Sequence, residues 1–121
     1  MSNEVKVNTI NINGVEYVQK GQENLSPISN VSMVRSDRAG VFFGELVKRN
    51  GGEVTLKNAR RVYYWDGAAT LSQLAQEGTC KPQNCKFPPA VTSVDLLGVI
   101  EIIPVTDKAL KVLNSVKEWR A

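Results

Sequence analysis

Residues 41–65, VFFGELVKRNGGEVTLKNARRVYYW, predict a long β-hairpin with its turn at Asn50-Gly51. β-branched and aromatic residues are enriched on both sides of the turn, as is typical of strands. Asparagine followed by glycine favours the positive φ angles of a tight turn. The predicted strands end at Lys48 and resume at Glu53, because this register places two opposite charges across from each other.

A second hairpin is predicted near the N-terminus. Its turn would be Asn13-Gly14, with Ile10 opposite Tyr17 on the paired strands. Residues 20–30 contain glycine, asparagine, serine and proline at short intervals and predict a loop.

The remaining patterns predict three more strands and two short helices. Thr70 and Thr106 each precede a run with helical spacing and are typical N-cap residues, and Gly78 is a typical stop. The predicted strands are 31–35, 91–94 and 99–105, and the predicted helices are 71–77 and the run that follows Thr106.

These elements predict an α+β fold in a single domain, residues 1–121. A mainly antiparallel sheet would combine the N-terminal hairpin with the long central hairpin, and two short helices would pack on it. Residues 1–30 would form the N-terminal hairpin and loop, and residues 31–121 the core of the protein.

The amino-acid composition and the charge distribution favour a binding function over catalysis. The chain has no histidine, the commonest general base, and no glycine-rich phosphate motif, so we expect a protein that is not an enzyme and has no cofactor or metal. The net charge is +3, and five of the six arginines lie between positions 35 and 61. This basic zone is either a solvated face or an anion site, and arginine suits phosphate better than lysine does.

The direction of Arg60 is open at the level of sequence. Simple alternation along the strand places it on the same face as Val54, Leu56, Val62 and Tyr64, where an unpaired charge is costly. A bulge at Asn58-Ala59 would return it to solvent. Otherwise an anionic ligand, or an ion pair with Glu45, Asp66 or Asp95, would satisfy it.

The run Tyr63-Tyr64-Trp65 cannot face a single core, because strand side chains alternate. At least one of these aromatics is expected at a subunit interface or in a groove. Together with Phe42 and Phe43 on the partner strand, they predict a homo-oligomer.

The loop at 78–89 combines Phe87 with Lys81 and Lys86 among prolines. Phe87 either anchors the loop in the core or clamps a base beside the two lysines. Cys80 and Cys85 are expected to be free thiols, with a disulfide as the alternative.

The N-terminus is polar, and the most apolar stretch, residues 96–105, is short and contains Glu101. We therefore expect no secretory signal, no membrane partner and a cytosolic location.

An ordered set of motifs resembles a family of small phage proteins that includes the first-described Thoeris anti-defence sponges. The motifs are Val41-Phe42-Phe43-Gly44-Glu45-Leu46, Asn58-Ala59-Arg60-Arg61, Trp65-Asp66-Gly67-Ala68, Leu71-Ser72-Gln73-Leu74-Ala75 and Val99-Ile100-Glu101-Ile102-Ile103-Pro104. The resemblance extends over residues 33–119 and leaves out the N-terminal hairpin.

The resemblance implies a sponge that binds glycocyclic ADP-ribose, an immune signal, in the bacterial host's cytoplasm during phage infection and does not degrade it. It implies a homodimer or a hexamer built from dimers, and in some members a second site for cyclic oligonucleotide signals. Arginines and a loop phenylalanine are expected at the ligand. The predicted ligand-binding residues are Arg60, Arg61 and Phe87, followed by Arg35, Arg38, Phe42, Trp65, Asn84 and Arg120.

Two other functions fit the same residues. A single-stranded nucleic-acid binder would use the arginines and aromatics along a strand, although a net charge of only +3 makes nucleic acid the weaker expectation. A structural or interaction protein of the phage would use the aromatics as protein contacts.

Overall fold

The computed structural model describes residues 9–12, 15–18 and 27–121. Strands β1 (Thr9–Ile12) and β2 (Val15–Val18) form a two-stranded antiparallel sheet in which Ile10 pairs with Tyr17, as predicted. The predicted turn at residues 13 and 14 and most of the predicted loop lie outside the described residues. The end of that loop is wrong as predicted, because β3 already begins at Ile28.

The main sheet is antiparallel and has five strands, which with the helices confirms the α+β class. The strands are β3 (Ile28–Ser36), β4 (Gly40–Asn50), β5 (Glu53–Val62), β6 (Val91–Leu96) and β7 (Val99–Thr106). The helices are α1 (Leu71–Glu77) and α2 (Asp107–Asn114), with a short 3₁₀ turn at Pro82–Asn84. The strand order is β6-β5-β4-β3-β7.

The order of the strands requires the sheet to coil. β6 and β7 lie at opposite edges, about 19 Å apart in a flat sheet of this width. Only Leu97-Gly98 joins them, and the step from residue 96 to residue 99 spans at most about 11 Å. The edges therefore meet at one corner, where Gly98 has a φ of 65°. There the Val99 N–H donates to the Gly52 oxygen at 3.0 Å, and the Asp37 N–H donates to the Gly98 oxygen at 2.8 Å.

The predicted register of the long hairpin is wrong. Asn50, rather than Lys48, pairs with Glu53, and the turn is Gly51-Gly52. Gly51 adopts a φ of 60°, whereas Asn50 does not have the positive φ that the first position of an Asn-Gly turn would require. The pairing is also irregular in β4, where Val47 is an extra residue between the pairs Leu46–Leu56 and Lys48–Thr55.

A bulge interrupts β5 at Asn58-Ala59. Two steps along β4, from Phe43 to Glu45, match three steps along β5, from Arg60 to Lys57. Asn58 takes the left-handed conformation with a φ of 51°. The bulge shifts the alternation by one residue, so the single buried face predicted for this strand is wrong. Its predicted last member, Tyr64, lies beyond β5 and is 49% exposed.

The sheet separates two hydrophobic clusters. The inner cluster lies on the concave side of the coiled sheet and consists of Val34, Phe42, Val54, Leu56, Ala59 and Leu96, all from strands. The outer cluster lies between the opposite face and the helices, loop and C-terminal residues. It consists of Met33, Phe43, Val62, Leu74, Ala75, Cys85, Phe87, Val105, Ala109, Leu113 and Val116.

Both helices begin at the predicted threonines. The Thr70 hydroxyl accepts from the Gln73 N–H at 3.1 Å, and the Thr106 hydroxyl accepts from the Ala109 N–H at 3.0 Å. The caps satisfy N–H groups that a first helical turn leaves free. They place the two helices on the outer cluster, into which Leu74 and Leu113 are fully buried.

Candidate ligand-binding surface

Arg60 and Arg61, the two arginines at the centre of the predicted site, point to opposite faces of the sheet. Arg60 pairs with Phe43 and Arg61 with Phe42 across β4. Successive strand residues alternate in direction, so Arg60 points toward the outer cluster. Arg61 lies above the Phe42 ring on the inner side, with its guanidinium carbon 4.3 Å from the ring centroid. One ligand on one face of the sheet cannot contact both guanidinium groups.

Arg60 is buried, with 9% of its surface exposed, and its guanidinium donates to three backbone carbonyls. Nε donates to Pro88 O at 3.1 Å, Nη1 to Val116 O at 3.1 Å and Nη2 to Phe87 O at 2.8 Å. None of the ion pairs weighed from the sequence forms. The carbonyls replace the water that the charged group loses, and such charge-assisted bonds are strong.

Burial lowers the pKa of Arg60, and the nearby charge of Glu118 raises it in opposition. Arginine remains protonated in proteins in spite of such shifts. The group is therefore a buried cation held by neutral oxygens, which makes it a clip between β5, the loop at residues 87 and 88 and the C-terminal residues.

Arg61 is exposed, and its Nη1 donates to Ala39 O at 2.7 Å. That bond and the Phe42 ring hold the guanidinium over the inner cluster, and the residue is exposed to solvent. Arg61 therefore offers phosphate-binding and stacking chemistry that Arg60 has already used within the fold.

The three aromatic residues predicted at the ligand have core contacts. Phe87 has no exposed surface and packs edge-on against Phe43, with ring centroids 5.6 Å apart. Phe42 is 4% exposed within the inner cluster. Trp65 is half-buried, and its indole N–H donates to Ala68 O at 3.1 Å. Within the described residues of this single chain, none of the three presents an open ring face as Phe87 would need to clamp a base.

Open aromatic faces occur instead at Tyr63, Tyr64 and Trp119, which with Lys86 form what we call the aromatic–lysine surface. Tyr63 and Trp119 are stacked, with centroids 4.7 Å apart and an interplanar angle of 21°. The Lys86 ammonium lies 5.5 Å from the Trp119 centroid and 6.0 Å from that of Tyr64. The exposed fractions are 61% for Tyr63, 49% for Tyr64 and 43% for Trp119.

Backbone pairing assembles this surface from three distant parts of the chain. The N–H groups of Tyr63 and Tyr64 both donate to Lys86 O, at 3.1 and 3.2 Å, and the Lys86 N–H donates to Tyr64 O at 2.8 Å. The Trp119 N–H donates to Phe87 O at 2.9 Å. Sequence reasoning expected at least one of the three consecutive aromatics outside the core but missed the surface as a unit, because nothing local brings Trp119 to Tyr63.

Asn84 is engaged in the loop that supports this region. Its amide donates to Asp66 Oδ2 at 2.9 Å, while the Gly67 N–H donates to Asp66 Oδ1 at 2.9 Å. These contacts lower the pKa of Asp66: the Asn84 bond contributes most, the Gly67 N–H and the Lys81 charge act in the same direction, and desolvation opposes them. Asn84 is therefore a loop-holding residue in this chain.

The other predicted arginines lie apart from one another. Arg35 pairs with Glu101 at 3.1 Å, and Arg120 pairs with Glu118 in the C-terminal residues. Arg38 lies in the β3–β4 turn, on the rim of a cleft of about 460 Å³ that also contains Asp37 and Asp95. The acidic neighbours make this cleft a poor site for an anion.

A second cleft, of about 340 Å³, opens beside the β5 bulge. Phe43, Val31 and Leu110 supply its apolar lining, and Arg60 and Asn58 lie on its wall. The Asn58 amide donates weakly to Glu45 at 3.4 Å. Arg60 borders this cleft, although its three bonds to carbonyls define the direction of its guanidinium.

The acidic and cysteine side chains of the described residues form neither a metal-binding cluster nor a disulfide. Within residues 9–12, 15–18 and 27–121, no three histidine, cysteine or acidic side chains gather as metal ligands would. Both thiols are free, Cys80 exposed and Cys85 buried. Among the residues that the structure describes, the helices are too short or too polar to cross a bilayer.

Comparison with known proteins places the chain by its sequence family. No curated protein and no solved structure matches it. A family model described as "Domain of unknown function (DUF6948)" matches residues 29–113, more than half of the chain. The match runs from β3 into α2 and includes Tyr63, Tyr64 and Lys86 of the aromatic–lysine surface, whereas Trp119 lies beyond it. The chain is a member of the DUF6948 family.

Proposed function

We propose that this protein binds a cyclic ADP-ribose-type nucleotide signal and sequesters it intact. The observation that carries the proposal is the stacked, exposed Tyr63–Trp119 pair with the Lys86 ammonium 5.5 Å from the Trp119 centroid. Flat aromatic faces bind a base, and an adjacent ammonium binds phosphate. A nucleotide carries base and phosphate in one molecule, so its site needs an aromatic face and a cation close together.

In the proposed binding mode, each group contacts the ligand without reacting with it. The adenine stacks on the open face of the aromatic pair, a contact worth about 1–3 kcal/mol per base. Lys86 acts as a point charge toward the pyrophosphate. Arg61 lies over Phe42 on the inner side of the sheet and takes no part in this binding mode.

The identity of the signal rests on the resemblance to the Thoeris anti-defence sponges. In this proposal the protein acts in the cytoplasm of the infected bacterium, as a homodimer or hexamer, and is not an enzyme. A second copy would cover the exposed aromatic rings and exclude water from the ligand, which strengthens the charged contacts.

The test is calorimetric titration with glycocyclic ADP-ribose, followed by heat denaturation and chromatography of the released small molecule. We expect saturable binding and recovery of unchanged ligand. Trp119→Ala should weaken binding by roughly 5- to 150-fold, the equivalent of the lost stacking contact. Ile100→Ala, which trims another exposed apolar residue (59% exposed) on β7, should leave affinity unchanged.

Three outcomes would count against the proposal. Absence of heat with the native protein removes this ligand. Recovery of a cleaved product identifies a hydrolase. Equal effects of the Trp119 and Ile100 variants would remove the aromatic–lysine surface as the site.

The openness of the surface also favours single-stranded nucleic acid as a second candidate. Tyr63, Tyr64 and Trp119 lie on an exposed face rather than in an enclosed cleft, and open aromatic platforms beside cations suit successive bases. Fluorescence anisotropy with a labelled single-stranded oligonucleotide distinguishes the two. This candidate requires affinity that falls steeply with salt and tolerates changes in base sequence.

A further inference from the structure

We infer that Arg60 is a positioning residue for the aromatic–lysine surface, and that it acts through Trp119 without touching the ligand. This inference rests on the proposed function. The connecting element is the C-terminal strap, which we define as residues 115–121, the stretch that follows α2. The strap passes over the guanidinium of Arg60 and ends beside Tyr63.

A single carbonyl links Arg60 to Trp119. Phe87 O accepts from Arg60 Nη2 at 2.8 Å and from the Trp119 N–H at 2.9 Å. A carbonyl oxygen has two lone pairs, and here both are used. The position of this oxygen therefore fixes the guanidinium and the backbone of Trp119 together.

Arg60 also holds the beginning of the strap. Its Nη1 donates to Val116 O at 3.1 Å, and the Val116 side chain is buried in the outer cluster at 4% exposure. Only two residues separate Val116 from Trp119, and the second of them, Glu118, pairs with Phe87 in a β-bridge. One guanidinium thus organises both attachment points that bracket this short segment.

The planar fork of arginine is what makes this arrangement possible. Three donors in a fixed plane reach Pro88 O, Phe87 O and Val116 O, which belong to two different parts of the chain. A lysine ammonium carries the same charge on a flexible stem and cannot present three donors in that plane. Arg60→Lys therefore retains the charge and removes the geometry.

The first experiment needs no ligand. The chain contains two tryptophans, so Trp65→Phe leaves Trp119 as the sole fluorophore of its kind. In that background Arg60→Lys should shift the Trp119 emission and increase its quenching by acrylamide, at temperatures where circular dichroism shows a folded chain. Arg61→Lys is the matched control and should change neither. A folded Arg60→Lys protein with unchanged Trp119 emission and quenching would overturn the inference.

The second experiment is a double-mutant cycle on affinity, with glycocyclic ADP-ribose as the probe. Trp119→Ala should weaken binding by roughly 5- to 150-fold. Arg60→Lys should weaken it in the native background but produce no further loss when Trp119 is already alanine, because the effect passes through that ring. If Arg60→Lys lowers affinity by the same factor in both backgrounds, Arg60 contacts the ligand directly and the inference is wrong.

The two experiments test the proposed function and the role of Arg60 independently. Absence of binding by the native protein contradicts the proposed function, and the fluorescence result still decides the role of Arg60. Should Arg60→Lys not fold, hydrogen exchange on the native chain provides the decision. The Trp119 N–H and the Arg60 Nη2–H, the two donors to Phe87 O, should then open with the same equilibrium constant, and clearly different constants would refute a shared attachment.

Discussion

The inner and outer clusters differ in what closes them. Strand residues alone fill the inner cluster, and alternating apolar positions are enough to specify it. The outer cluster also needs two helices, the loop around Phe87 and the strap, and it contains the buried cation of Arg60. Apolar burial is non-directional, whereas three hydrogen bonds from one guanidinium demand a single arrangement.

This difference explains where the candidate surface lies. Tyr63, Lys86 and Trp119 border the outer cluster, whose loop and strap hold them through backbone bonds. The inner cluster fixes the shape of the sheet, and the outer cluster fixes the positions of the side chains in the aromatic–lysine surface.

Truncating one large side chain in each cluster should have the largest effect on the free energy of unfolding. Phe87→Ala should lower the free energy of unfolding by about 3–5 kcal/mol and Leu56→Ala by about 2–5 kcal/mol, since neither residue has exposed surface. Only Phe87→Ala should also alter the fluorescence of Trp119 in the folded state. Urea unfolding at constant slope gives the stabilities. A Phe87→Ala protein of native stability would return that ring to the list of ligand contacts.

Removing the buried cation should have the next largest effect. Arg60→Met removes one donor from each of three carbonyls, of which Phe87 O keeps its bond from the Trp119 N–H, and should cost about 2–4 kcal/mol, allowing for partial access of water. Arg61→Met is the neighbouring control on the exposed side and should change stability by less than about 0.5 kcal/mol. Equal losses in the two variants would contradict the assignment of different roles to the two arginines.

The bulge that separates the two clusters along β5 should show a smaller effect. Asn58 has a φ of 51°, which alanine adopts at a cost of about 1–2 kcal/mol. Asn58→Gly permits the same conformation and should be neutral within about 0.5 kcal/mol. A comparison of melting temperatures is sufficient, and equal losses with glycine and with alanine would show that the amide, not the backbone, matters here.

The smallest effect concerns Asp66, at the base of the loop that carries the outer side. Its pKa is lowered from 3.8 in the folded protein, chiefly by the Asn84 hydrogen bond. A lowered pKa stabilises the fold at pH values above 3.8 and loses that contribution as the pH falls through the folded value. Asp66→Asn should therefore flatten the decline of stability below pH 4, and an unchanged acid branch of the curve would contradict this origin.

Local signals in the sequence predicted most of the fold. The capping threonines Thr70 and Thr106 and the β-branched runs identify both helices and all the strands of the main sheet, because each signal lies within a few residues of its effect. The register of β4 and β5 was not predictable in this way. Gly51-Gly52 and Asn50-Gly51 are both acceptable turns, and packing within the coiled sheet decides between them.

The candidate surface depended on information that the sequence lacks. The bulge at Asn58 reverses the face of every residue after it, but it does not return Arg60 to solvent as the bulge alternative predicted, because Arg60 is buried beneath the loop and the strap on the outer side, while Arg61 is an exposed cation. The run of two arginines and three aromatics contains Tyr63 and Tyr64, two members of the proposed surface. The partner ring, Trp119, comes from the far end of the chain through pairing with Phe87 that no local pattern encodes.

The two-residue connection at Leu97-Gly98 also has a consequence for the rate of folding. β3, β4 and β5 pair with their neighbours along the chain, but β7 must find β3, and the bond from Ser36 Oγ to Leu97 O already joins residues 61 positions apart. The entropy lost in closing so long a loop is not recovered until the edge strand docks. We therefore expect docking of β7 to form the principal kinetic barrier, with the corner at Gly98 as the last part of the sheet to take its final shape.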